Sequence, residues 1–248
     1  MHFCGLDTKM QQELLEEYGK PVHEVDVELR RGFIQKVFGI VSLQLLTTLG
    51  FAALFSLYEP LRVYVDFHTE GGHPWVSIAA TVFSLAFLTA LMCCSNQMRN
   101  HTTSIIFLIG FTLAESVMVG VACTAYTIGS VLIAVGATVF LVASLAAYAF
   151  FTTRDFTGAG PYLYAFLIAL ILYGITLFVH GFDIKLSYAY AGVVLFSCYI
   201  VHDMQMIIGG EHHKYKFGVD EYVFAALHIY LDVINVLVDL LKIFGVGR

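Results

Sequence analysis

The sequence predicts an all-α integral membrane protein with seven transmembrane helices, six of them surrounding a central polar-striped C-terminal helix. Composition is the first sign: hydrophobic residues fill 58% of the 248 positions and charged residues only 13%, against roughly half and a quarter in soluble domains. The second is a set of charge-free runs at 37–58, 75–95, 128–151 and 161–179, each long enough to cross a bilayer as a helix. The third is the stretch 222–245, which has membrane length yet carries His228, Asp232, Asn235 and Asp239. Counted from His228 these fall at i, i+4, i+7 and i+11, on one face of a helix. An ionisable group facing lipid costs on the order of 3 kcal/mol at mid-helix. The striped face must therefore turn toward protein or trapped water.

Residues 1–33 read as an acidic cytosolic tail, in which Glu13, Glu16, Glu17, Glu24, Asp26 and Glu28 cluster. No apolar core of a cleavable leader occurs there, so the first hydrophobic segment is expected to direct insertion. The membrane domain, 34–248, holds segments at about 37–58, 75–95, 102–126, 128–151, 161–179, 186–210 and 222–245. The loop 59–74 contains Gly71, Gly72 and Pro74, which interrupt regular structure. With Asp66, His68, Glu70 and His73 it reads as a solvated lumenal loop, a metal site being the alternative. Arg99, at the cytosolic end of the second segment, either swings toward Asp203 or Asp232 or snorkels to lipid phosphates. Glu115 lies near the middle of 102–126; a lone carboxylate there is a functional candidate by default, either a cation ligand or a protonated core residue. Arg154 and Asp155 form either a gate or a solvated turn ending at Gly158.

Five cysteines give no paired framework and read as small apolar fillers. No basic face exists for nucleic acid, and the formal net charge is −6. Lys20, Arg30, Arg31, Lys36, Arg99, Arg154, Lys214 and Lys216 fall on one side of the membrane, and Arg62, Lys185, Lys242 and Arg248 on the other, which favours a cytosolic N-terminus. A re-entrant last segment would move Lys242 and Arg248 to the cytosolic side. Charge alone leaves the side of the C-terminus open.

The last two segments are joined by a short polar connection, so they are antiparallel neighbours. Asp203 lies roughly 10 Å below that connection and Asp232 roughly 15 Å, at 1.5 Å per residue, so the two carboxylates can meet. A close pair in a dry bundle shares one proton. Its oxygens also suit Ca²⁺. Competition between proton and Ca²⁺ would give a pH-dependent leak.

The stretch YVFAALHIYLDVINVLVDLL, with CYIVHDMQMIIGG before it, RRGFIQKVFGIVSLQLLTTLG near the start and TTRDFT in the middle, resembles the transmembrane Bax inhibitor motif (lifeguard) family. GFTLAES, beginning at Gly110, is most similar to its Golgi anti-apoptotic branch. The resemblance implies a central seventh helix that crosses the membrane. It also implies a pH-sensitive Ca²⁺ leak channel with a di-aspartyl sensor, here Asp203 and Asp232, which would bind Ca²⁺ transiently. Three positions depart from the family pattern: His202 replaces a usual Tyr, His228 a common Asn or Ser, and Asp239 an apolar or aromatic residue. Histidines titrate nearer neutrality, so His202 and His228 either shift the pH response or only hydrogen-bond in the core. Asp239 either extends the path or pairs with Lys242.

The function expected is a pH-sensitive Ca²⁺ leak channel of the Golgi or endoplasmic reticulum membrane that restrains cell death. It needs no cofactor beyond the permeant ion. Its partners are the lipid bilayer, Ca²⁺ and protons, with cell-death regulators or other calcium channels as further candidates. The alternative is a non-channel membrane protein that regulates apoptosis by partner binding. An intramembrane aspartyl protease is disfavoured, because those enzymes carry Gly-x-Gly-Asp and Asp232 follows Ile229, Tyr230 and Leu231. No enzyme activity is expected.

Overall fold

The computed structural model describes residues 22–65, 75–93, 101–180, 185–209, 217–218 and 221–247. Its helices are α1 (Val22–Leu57), α2 (Glu59–Val65), α3 (Trp75–Cys93), α4 (His101–Thr124), α5 (Ile128–Phe151), α6 (Gly160–His180), α7 (Lys185–Ile208) and α8 (Tyr222–Phe244). Among the described residues there is no strand beyond an isolated bridge between Tyr126 and Gly247. Six helices are long and apolar enough to cross a membrane, and the apolar stretch Trp75–Leu91 of α3 is shorter. Arg99, the polar loop residues Asp66, His68, Glu70 and His73, and the tail up to residue 21 lie outside the described residues.

The surface is apolar where a soluble protein would be polar. Phe140, Phe151 and Tyr162 are 76%, 86% and 80% exposed, a cost in water and no cost against lipid tails. α1 shows the same division along one helix. Phe33, Val37, Val41, Gln44, Thr48, Ala52 and Phe55 are buried at steps of three or four, while Leu43, Leu46, Leu49, Leu54 and Leu57 face outward. This helix starts at Val22, well inside the stretch expected to be tail. Its apolar span starts at Glu28 rather than at 37, because charges near a helix end reach the interface without stopping the helix. The loop after α1 is also partly helical: α2 has Pro60 in its first turn, where a missing N–H does no harm. Val65 of α2 packs with Phe55 and Val121 into a small apolar cluster.

α8 is the centre. Its apolar window is 72% buried, against 17% for α5 and 6% for the span containing α6. α1, α4, α5 and α7 line it, whereas α3 packs mainly on α4, and α6 mainly on α7. The ring is thus uneven, with two of its helices backing the others.

The far end of α8 bears on the question charge left open. Thr127 N–H donates to Val246 O (3.0 Å) and Val246 N–H to Ser130 Oγ (2.9 Å), tying residues just past α8 to the α4–α5 connection. The near end of α8 adjoins Phe217, whose carbonyl is bonded by Arg30 of α1. α8 therefore enters at one end of the bundle and leaves at the other. It crosses.

Candidate functional site

The last turns of α7 are buried on every side: Ile200, Val201, His202, Asp203, Met204 and Gln205 are all enclosed. This stretch reads as a membrane helix interrupted by polar residues because those residues point at protein, Asp203 at α8 and Gln205 at the α5–α6 connection.

Asp203 is 2% exposed and Asp232 of α8 is 6% exposed. The carboxyls face each other within hydrogen-bonding reach, as the depth argument requires. His202 Nδ1 lies 2.7 Å from Asp203 Oδ1 and His228 Nδ1 lies 3.3 Å from Asp203 Oδ2, so two imidazoles flank one carboxyl. Either pairing carries charge only when its ring is protonated. Asp232 Oδ2 is buried without a hydrogen-bond partner among the described residues. Two carboxyl groups this close in a buried seam cannot both carry charge without a large cost. Tyr199 lies within electrostatic reach of both, and Phe217 packs edge-on against the His228 ring at 5.8 Å.

The other residues singled out by sequence are elsewhere. Glu115 accepts a 2.7 Å hydrogen bond from Ser84 Oγ of α3, away from the α7–α8 seam. Asn235 donates to Leu231 O of its own helix at 2.8 Å. Asp239 pairs with Lys242 Nζ at 2.8 Å, one of the two roles sequence allowed it. Its other oxygen fills the place of a side chain at Gly192 on α7. Among the described residues no three His, Cys, Asp or Glu side chains are arranged to hold a metal ion.

The family model described as "Inhibitor of apoptosis-promoting Bax1" matches residues 30–248. The chain belongs to this Bax inhibitor family. It is 31% identical over 232 residues to a Golgi anti-apoptotic protein of Vaccinia virus strain Lister, covering 93% of this chain and 92% of that protein. The proteins of the same name from strains LC16m0 and LC16m8 match to the same extent.

Two features of this Bax inhibitor family member escaped the sequence. Gln205, fully buried, grips the α5–α6 connection with both ends of its amide, donating to Arg154 O (2.8 Å) and accepting from Phe156 N–H (2.7 Å). Arg154 and Asp155 themselves are exposed, and Asp155 Oδ1 closes the turn by accepting from Thr157 N–H at 2.9 Å. The second feature is a hydroxyl cluster on the opposite side of α8. Thr48 Oγ1 contacts Tyr230 OH (2.8 Å) and Ser116 Oγ (3.0 Å), and Gln44 Nε2 donates to Thr112 Oγ1 (2.8 Å). Its signal was a four-residue spacing of small polar residues in otherwise apolar segments, Gln44 to Thr48 and Thr112 to Ser116. Such residues join membrane helices.

Proposed function

We propose that this protein restrains cell death from the Golgi or endoplasmic reticulum membrane as a pH-sensitive Ca²⁺ leak channel, with the Asp203–Asp232 pair as its sensor and its N-terminus cytosolic. The single observation behind the mechanism is the buried contact between the two carboxyls on adjacent helices. The compartment and the cell-death role draw on the name of the viral relatives. Carrying one proton, the pair ties α7 to α8; losing it leaves two like charges in a dry seam, which push the helices apart and present oxygen ligands to a cation. His202 and His228 touch the same carboxyl, so their charge biases that step. No catalytic role is assigned.

The test is Ca²⁺ entry into liposomes between about pH 5 and 8, with Asp203→Asn and Asp232→Asn beside the parent. A pH-dependent flux altered by both changes is the expected result. Flux that ignores both would move the path elsewhere. Absence of flux from folded protein would favour action through a bound partner.

A further inference from the structure

The end of α7 that carries Asp203 is held by a residue of the first helix. An α-helix leaves its last carbonyls without partners in the helix. Here Gly209, at φ +62°, turns the chain back so that its N–H donates to Gln205 O at 2.9 Å, and Phe217 N–H reaches Met206 O at 3.1 Å. Arg30 of α1 completes the cap. Its Nη2 donates to Met206 O at 2.6 Å, its Nε to Ile208 O at 3.2 Å, and its Nη1 crosses to Phe217 O at 2.6 Å. The guanidinium sits over the Phe33 ring at 4.8 Å. Position 209 favours glycine on two counts: its φ is positive, and a Cβ there would lie 2.7 Å from Arg30 Nη2.

One planar fork thus spans both sides of the α7–α8 connection. On one side it fixes the turn that follows Asp203. On the other it fixes Phe217, whose ring packs against His228.

We propose that Arg30 is a positioning residue for the Asp203–Asp232 pair: it sets the height and rotation of the α7 end and, through Phe217, the place of the His228 ring. The role rests on reading the pair as a site that shares a proton. Among the described residues the titratable groups around the two carboxyls are His202 and Tyr199 on α7 and His228 on α8; Arg30 acts on them through main chain and packing. Lysine cannot replace it, since three carbonyls in three directions need the guanidinium's fixed fork.

The experiment uses the full chain in lipid nanodiscs, with Arg30→Ala, Arg30→Lys and Gly209→Ala. The protonated-carboxyl infrared band, assigned by its loss in Asp203→Asn and Asp232→Asn, is followed against pH. Hydrogen exchange is measured over 204–209. All three variants are expected to speed exchange there by at least about tenfold and to move the band's midpoint by at least about half a pH unit. An unchanged midpoint, whatever the exchange, overturns the proposal, since a merely structural tie would loosen the turn without reaching the carboxyls. Arg30→Lys with parental exchange and midpoint overturns it too. Gly209→Ala leaves Arg30 in place and crowds it, so a parental midpoint there counts against the proposal even if Arg30→Ala does not fold. A parent chain with no titrating band overturns the shared-proton site and this role with it. A parent with the band but no Ca²⁺ flux overturns only the leak reading.

Discussion

Asp239 of α8 and Gly192 of α7 are fitted to each other: one carboxylate oxygen fills the space a side chain at 192 would need, and the other holds Lys242 Nζ at 2.8 Å. Lys242 also lies over the Tyr188 ring at 5.5 Å. A charge-bearing side chain is thus accommodated deep in the α7–α8 contact because its neighbour has none.

Gly192→Ala should displace the carboxylate from Lys242 and destabilise the protein by about 1–3 kcal/mol, read as a lower thermal midpoint in detergent. Adding Asp239→Ala vacates the space the new methyl needs. The double variant should therefore lose less than the two single losses added together. Strict additivity would show that the two positions do not compete.

His228→Phe keeps an aromatic ring beside Phe217 and removes the imidazole 3.3 Å from Asp203 Oδ2. The expected result is Ca²⁺ flux with a shallower dependence on pH, since the imidazole no longer contacts the Asp203 carboxyl. His202→Phe should act the same way through the 2.7 Å contact on the other oxygen. Liposome flux over closely spaced pH steps decides it, and an unchanged slope in both variants would reduce the histidines to packing.

Gln205→Leu removes both partners of the α5–α6 connection at once. Each main-chain group left unpaired costs about 1–3 kcal/mol where water cannot reach it, so the connection should open. Trypsin cleavage after Arg154 should quicken severalfold while the helices persist by circular dichroism. Parental cleavage rates would show that the turn closed by Asp155 and Thr157 suffices alone.

Cysteines placed at Arg31 and Val246 in a cysteine-free background should label from opposite sides of sealed vesicles. The hydrogen bonds joining Val246 to Thr127 and Ser130 put the end of α8 at the far end of the bundle from Arg30. Labelling of both from one side would mean that α8 re-enters.

The parts of the fold set by long apolar runs were legible because membrane length is a property of the chain alone. Asp203 and Asp232 were legible as a pair for a similar reason: a short connection between antiparallel helices turns residue counts into depths. Arg30 was read only as a topological charge, because what it binds is main-chain carbonyls, which have no letter in a sequence. Gln205 was hidden likewise, its partners being Arg154 O and Phe156 N–H. Gly192 could not be matched to Asp239, since the rotation of α7 about its axis depends on every neighbour at once. Depth alone left Glu115 either a cation ligand or a protonated core residue, and its hydrogen bond from Ser84 on α3 could not be read from spacing.

The helix at the centre of this bundle follows in chain order all those that enclose it. During synthesis the earlier helices enter the membrane first, so α1, α4, α5 and α7 lack their central partner until α8 is made. In that interval Asp203 has neither Asp232 nor His228 beside it, and Tyr230 has yet to reach Thr48. Arrival of α8 is the step that hides those polar groups.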